Sequence, residues 1–542
     1  MKLDRRYSPR KIISPKLTFC LKFQGQEYQG NLNNVSSRGC NFKSKQSFPI
    51  GSDPELGFPN WKQKEPGYIK IIWKRGIDEK NLNLISGKPK NNQLWQYGGI
   101  FYQTECEFEE ILSNKIGNLL TIPDRRQNLR RKVSMHPSTE KRGSDRRGTK
   151  KLFQIIHRLD NSFDKWSTYH TYKREIGEIT PTHVKEFGRP KVMLGSNSFL
   201  GLSNHPYVKE AAIKAIEEFG TGSGGAQVLN GSTYHHEKLC ETLAKFKGTE
   251  SAILFSSGYL ANFGCISTLF NSREGVIFSD EKNHASIIDG CRMSKAEVRY
   301  FAHNDMNDLD KLLSKYQWEV SKLIISDGVF SMDGDICNLP EIVRLSKKFN
   351  SFVMIDEAHA TGILGEKGKG TTEHFNLEKG VEITTVTLSK AIGCSGGAIC
   401  GSKALIKFLM YSARPFIFGT SLPPSVCASA IAAIQVLEKE PELIKNLKAN
   451  VSYMATGLKR LGFEIIEPQA AIIPIIIGDE LKTYKFVYEV DSLGVFVNGV
   501  SRPAVPRQLS RIRINPSALH TTENLDYALD AFKKVGKKLG LI

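Results

Sequence analysis

Between Asp124 and Lys151 the chain carries eleven basic residues against three acidic ones, with almost no aliphatic periodicity. A stretch that can bury nothing stays solvated, so it reads as a basic linker, and the 542-residue chain must be multidomain. The texture differs on its two sides. Before it lie short, alternating, β-prone runs at Leu17 to Phe23, Glu27 to Leu32, Gly67 to Trp73 and Leu94 to Phe101, punctuated by Gly25, Gly39 and Asn91. This pattern predicts a small antiparallel β-barrel, followed by an amphipathic stretch from Glu107 to Leu120. After it, helical patterns such as Pro206 to Phe219 alternate with buried strands at Leu323 to Ser326, Phe352 to Ile355 and Ile383 to Thr387. That alternation predicts an α/β architecture.

The formal net charge of +19 invites a nucleic-acid partner. Much of the charge is concentrated in the linker, and no nucleic-acid-binding motif or aromatic interleaving accompanies it, so a specific nucleic-acid partner is not expected. A solvated spacer is the plain reading of the linker; contact with a nucleotide or an anionic membrane surface is the sharper one. Ten cysteines are scattered without a CxxC pair. This argues against a disulfide framework or a zinc ribbon and for reduced thiols in a cytoplasm; no metal site is expected. No charged-then-apolar signal peptide opens the chain. The longest uncharged stretch, Ser251 to Ser272, includes Ser256, Ser257, Asn262 and Asn271, a poor composition for a membrane span. It reads instead as a buried strand leading into a helix.

Four segments bear on chemistry. Phe352 to Asp356 is an apolar strand ending in an acid, with His359 three residues on; ligands gather at such strand ends, although an acid there can equally cap a helix. Thr387-Leu388-Ser389-Lys390 follows another apolar run and leads into Gly393, Gly396 and Gly397. A lysine so placed is a candidate Schiff-base amine or a surface lysine. Ser256-Ser257-Gly258-Tyr259 joins a strand to a helix, where backbone N–H groups and the helix dipole can hold an anion. His284 lies after a strand and before an apolar helix, where a flat imidazole can stack on a cofactor ring or simply sit in a loop.

In this order and spacing the four segments resemble the α-oxoamine synthases, a fold-type-I pyridoxal-phosphate family. The family includes 8-amino-7-oxononanoate synthase, serine palmitoyltransferase, 5-aminolevulinate synthase and glycine C-acetyltransferase. The resemblance runs from about Met193 to His520 and includes Ser196-Asn197-Ser198-Phe199-Leu200-Gly201-Leu202, Gly222-Ser223-Gly224-Gly225 and Asp327-Gly328-Val329-Phe330-Ser331-Met332-Asp333-Gly334-Asp335. It continues through Ala413 to Thr420, Pro503-Ala504-Val505-Pro506 and Arg511-Ile512-Arg513-Ile514.

The resemblance implies an N-terminal arm and pyridoxal-phosphate-binding large domain over 152–430 and a smaller α/β C-terminal domain over 431–542. It implies that Lys390 holds pyridoxal phosphate covalently and moves the α-proton, and that Asp356 pairs with the ring N–H. His359 would then bond the ring oxygen and His284 stack on the ring. Gly258, Tyr259, Ser331 and Thr387 would position ring and phosphate, and Thr420 would reach the phosphate of a neighbouring subunit in a homodimer. Asn197 and Arg513 would bind the amino acid, Arg513 through its carboxylate. The implied reaction joins a small amino acid to an acyl thioester, carried by coenzyme A or an acyl carrier protein, with loss of carbon dioxide. One departure stands out: many relatives place a small residue and then arginine after the GSGG turn, where this chain has Ala226-Gln227. Gln227 cannot supply that charge, while compact Ala226 leaves room for alanine, serine or glycine. Two rival readings remain: another fold-type-I enzyme such as an aminotransferase, or a receptor whose cofactor fold does no chemistry.

Arg6-Tyr7-Ser8-Pro9-Arg10 is followed by Asn34-Val35-Ser36-Ser37-Arg38-Gly39. An arginine pair before a barrel can clamp guanine edges and phosphates while a short polar turn closes on the ligand. Together they resemble a PilZ domain, the bacterial receptor module for cyclic di-GMP. The resemblance assigns residues 1–118 to that domain, residues 119–151 to the linker, and Arg6, Arg10, Asn34, Ser36 and Gly39 to nucleotide contact.

Overall fold

The run Ser251–Phe255 is buried beyond its first residue, and the glycine-led helix Gly258–Leu269 follows it. The uncharged stretch is therefore a strand entering a helix, and this unit starts the main sheet. The structure is a computed structural model; it describes residues 174–542 except 187 and 271–274, together with the backbone of six strands in the N-terminal part. Contacts divide the chain into two units, Met1–Asp145 and Arg146–Ile542.

In the first unit the strands are β1 (Lys11–Ile12), β2 (Thr18–Phe23), β3 (Gln26–Ser36), β4 (Gly39–Ser44), β5 (Glu55–Gly57) and β6 (Trp95–Gly99). They pair antiparallel in the order β5-β2-β3-β4-β6, with β1 also on β3. β3 is longer than its sequence pattern suggests. Asn31, Asn33 and Asn34 hide the two-residue period, but pairing on both edges satisfies the backbone, and the register shifts between Leu32 and Asn34 as at a bulge. Closure into a barrel, the expected strand Gly67 to Trp73, the stretch Glu107 to Leu120 and the basic linker all lie outside the described residues.

The second unit opens with the hairpin β7 (His183–Glu186) and β8 (Arg189–Met193). Its main sheet contains β9 (Ser251–Phe255), β10 (Val276–Asp280), β11 (Glu297–Phe301), β12 (Lys322–Asp327), β13 (Phe352–Asp356), β14 (Ile383–Thr387) and β15 (Gly397–Gly401). The order is β11-β10-β12-β13-β14-β15-β9. The first five strands run parallel and β15 antiparallel to both its neighbours. β10, β12, β14 and β15 are buried along their whole lengths, as expected where helices cover both faces of a sheet. Leu323, Ile325 and Met354 join one apolar cluster, and Ile324, Val353 and Ile355 join another. Successive residues thus feed opposite faces.

The C-terminal part adds β16 (Ile473–Ile476), β17 (Val495–Phe496), β18 (Asn498–Val500) and β19 (Arg511–Ile514). These form the sheet β16-β19-β18 and, through β17, the sheet β17-β8-β7. The chain leaves β8 directly into Asn197, and Arg513 lies opposite both Pro474 and Asn498 on β19. Residue 430 falls inside the helix Pro424–Lys439. Among the described residues no helix is long and apolar enough to cross a membrane.

Candidate active site

Parallel strands deliver their carboxyl ends to one edge of a sheet, so β10, β12, β13 and β14 bring residues far apart in sequence to one place. A cavity of about 250 Å³ opens there. Gly258, Tyr259, His284, Ser331, Asp356, His359, Thr387 and Lys390 all line it. Asn262, Ser286 and Asp327, which the sequence reading did not assign to the site, line it as well.

Lys390 follows β14 in the turn that leads to β15. Burial lowers its amine, opposed by Asp356 and Asp327 and aided by Arg513, and the result is pushed down to about 8. A neutral amine is the nucleophilic form, so this environment suits a lysine that must bond to a carbonyl carbon. Asp356 ends β13 and accepts from Asn262 Nδ2 at 2.6 Å and from the Ala358 N–H at 2.9 Å. Asp327 ends β12 beside it; its Oδ2 accepts from the His284 N–H at 3.2 Å, and burial followed by the Asp356 charge holds this carboxyl well above the usual range.

His284 caps the helix Ala285–Met293; its Nδ1 accepts the Ser286 N–H at 3.3 Å and lies 2.8 Å from Ser286 Oγ. The Tyr259 ring meets it edge-on at 6.4 Å and bonds Asp289 through its hydroxyl. His284 and His359 are both kept neutral in the first place by burial, His359 more strongly because Lys390, Arg513 and His284 also surround it. Arg513 donates to Ser331 O and to Asn197 Oδ1, each at 3.3 Å, and Asn515 Nδ2 donates to the same oxygen at 3.1 Å. Burial lowers the Arg513 pKa, an unfavourable setting for a cation unless an anion joins it.

The site fits pyridoxal phosphate on three grounds. Asp327 Oδ1, His359 Nδ1 and Arg513 Nε are buried with no hydrogen-bond partner, a costly state that a polar ligand relieves. The phosphate-side turn is closely fitted, because a Cβ on Gly258 would lie 2.0 Å from Thr387 Oγ1. Ser257 caps the helix Gly258–Leu269 by accepting from Leu260 N at 3.1 Å, leaving the helix N-terminus directed at the site for an anion.

Thr420 is exposed, outside the cavity, and its backbone bridges to Ala226. Gln227 donates through Nε2 to Leu254 O at 3.1 Å, so this side chain is occupied with the end of β9. In the first unit Arg6 and Arg10 lie outside the described residues. Ser36 and Gly39 face each other across the β3–β4 hairpin, and Ile12 pairs with Asn34. The backbone just after the arginine pair therefore runs beside the strand that carries the polar turn.

Asp327 had a legible signal: β12 is an apolar strand ending in an acid, as β13 is. Asn262 and Ser286 had little, since each is one polar residue in a mainly apolar helix.

A model of the aminotransferase class I and II family matches residues 189–532, and a PilZ domain model matches residues 4–87. The 8-amino-7-oxononanoate synthase of Thermoanaerobacter pseudethanolicus is 46% identical over 357 residues, covering 66% of this chain and 90% of that protein. 8-Amino-7-oxononanoate synthase 1 of Bacillus subtilis is 44% identical over 396 residues, covering 72% and 100%. A serine palmitoyltransferase from S. paucimobilis, solved with a bound PLP–myriocin adduct, superposes with a TM-score of 0.70 at 33% identity over 72% of this chain and 100% of that one.

Proposed function

Because the chain belongs to the pyridoxal-phosphate-dependent α-oxoamine synthases and carries a PilZ domain at its N-terminus, we propose that it condenses alanine, serine or glycine with an acyl thioester, releasing the thiol carrier and carbon dioxide and forming an α-amino ketone, under the control of cyclic di-GMP. The observation that carries the chemistry is Lys390, an amine held near 8 between two strand-end carboxyls in a cavity where Asp327 Oδ1 and His359 Nδ1 lack hydrogen-bond partners.

Pyridoxal phosphate supplies an electron sink for the charge left on the amino acid's α-carbon. Lys390 would hold the cofactor, and its amine, when free, would take the α-proton of the bound amino acid. Asp356, fixed by two donors, is placed to hold the ring nitrogen proton, and His359 Nδ1 to bond the ring oxygen. His284 would stack on the ring face. Gly258, Tyr259, Ser331 and Thr387 line the ring and phosphate side. Arg513 binds the substrate carboxylate and Asn197 lines the amino-acid site; the half-buried guanidinium gains most from an anion where water is scarce.

The reading extends to a homodimer in which the exposed Thr420 serves the phosphate site of a second copy. It also includes a cytoplasmic location, in keeping with seven free cysteines among the described residues. For the first unit it assigns cyclic di-GMP to Arg6, Arg10, Asn34, Ser36 and Gly39, supported by the backbone pairing of β1 with β3. Mass spectrometry of products from purified protein given a panel of amino acids and acyl thioesters tests the reaction. An α-amino ketone with release of carbon dioxide supports it; transamination products alone reject it.

A further inference from the structure

Asn262 has no assigned role in the chemistry, yet it sits at 1% exposure on the second turn of the helix whose N-terminus faces the phosphate side. All of its amide is engaged. Nδ2 donates to Asp356 Oδ2 at 2.6 Å and to Ser286 Oγ at 2.9 Å, while Oδ1 accepts the Thr385 hydroxyl at 2.7 Å. An ionised carboxylate only accepts hydrogen bonds, so the bond to Asp356 settles which end of the amide faces it. The Thr385 hydroxyl agrees, because it must then be a donor.

The consequence passes on to His284. Its Nδ1 receives the Ser286 backbone N–H at 3.3 Å and therefore carries no proton. Ser286 Oγ, which accepts from Asn262 through one of its two lone pairs, must then give its own hydrogen to the unprotonated Nδ1 at 2.8 Å. A neutral imidazole with Nδ1 as acceptor has its proton on Nε2.

We infer that Asn262 is a positioning residue that orients Asp356 for the cofactor's ring nitrogen and, through Ser286, fixes His284 as the Nε2–H tautomer. The two ring contacts, one at the ring edge and one at the ring face, are set together by a single amide anchored on β14 through Thr385. The inference deepens the proposed function and rests on its roles for Asp356 and His284. Without Asn262, Asp356 loses one of its two donors and the Ser286 hydroxyl is free to turn away, leaving the Ser286 backbone N–H as the remaining donor to His284 Nδ1 and a weaker bias towards the Nε2–H tautomer.

The test uses two full-length variants, Asn262→Leu and Ser286→Ala. Cofactor affinity of the apo-protein is measured by absorbance titration, the bound cofactor's absorbance band is followed against pH, and His284 is read by histidine 15N chemical shifts. Asn262→Leu should weaken pyridoxal phosphate by roughly tenfold to a hundredfold, the range for a hydrogen bond to a charged group, and should move the pH midpoint of the band. Ser286→Ala leaves the Asn262–Asp356 bond in place, so its midpoint should stay while the His284 shifts move from the Nε2–H pattern towards a mixture. If Asn262→Leu does not fold, the Ser286→Ala shifts still decide the relay to His284. An unmoved midpoint in a folded Asn262→Leu, or unchanged His284 shifts in Ser286→Ala, overturns the inference. Wild-type protein that takes up no pyridoxal phosphate overturns instead the function on which it rests.

Discussion

Asp327 and Asp356 are register partners at the carboxyl ends of the adjacent parallel strands β12 and β13. Two carboxylates side by side in a buried site do not both ionise readily. Their surroundings separate them: Asp356 accepts two hydrogen bonds, whereas Asp327 Oδ1 has none and burial drives its pKa upward.

The pair therefore divides into a partner for the ring, held by two donors, and a neighbour whose burial favours the protonated form. Asp327→Asn, which mimics a protonated acid, should leave cofactor affinity close to that of the wild type. Asp356→Ala should lower it by roughly one to two orders of magnitude, the loss expected for a charge-assisted contact. Titration of both apo-proteins with pyridoxal phosphate checks this; equal losses would show that the charge is shared.

Lys390 gives a pH signature. Its amine is pushed down to about 8 from an ordinary 10.5, and capture of a carbonyl requires the neutral form, whose fraction grows as pH rises through the pKa. The rate of cofactor uptake by apo-protein should climb with a midpoint near 8 and level off above it. Stopped-flow absorbance measures this, and a midpoint near 10 would mean that burial does not tune the amine. Lys390→Ala should bind the cofactor without a borohydride-trappable link.

Arg513 separates substrate from cofactor. Arg513→Ala should weaken amino-acid binding by about one to two orders of magnitude, or about 1.5–3 kcal/mol, with pyridoxal phosphate affinity unchanged. Spectral titration of the loaded protein with alanine, serine and glycine reads the difference. Unchanged titrations with all three would remove Arg513 from the carboxylate site.

For the first unit, calorimetry on the full chain should show heat with cyclic di-GMP and none in an Arg6→Ala/Arg10→Ala double variant. Coupling between sites is reciprocal, so any change in amino-acid affinity caused by the nucleotide must reappear as an equal change in nucleotide affinity caused by the amino acid. Binding with no such change would leave a receptor without allosteric control of the active site.

Much was legible from the chain alone. Ile383–Thr387 and Pro206–Phe219 form the predicted strand and helix, because a run of β-branched residues suits a strand covered on both faces and a helix on a sheet must be apolar on one side. The order of Gly258, His284, Asp356 and Lys390, each beside a strand end, likewise marked the chemistry, since parallel strands deliver their carboxyl ends to one edge.

Tertiary structure alone decided which side chains meet. Asn262 and Asp356 are 94 positions apart and Asn197 and Arg513 are 316 apart. Periodicity records which way a residue faces, not what another element places opposite it. The long reach of β3 through its asparagines, the pairing of β8 with β17, and the contrast between Asp327 and Asp356 all come from partners elsewhere in the chain. Two strands with the same pattern, each a largely apolar run ending in aspartate, acquired different chemistry because packing supplied donors to both oxygens of Asp356 and to only one oxygen of Asp327.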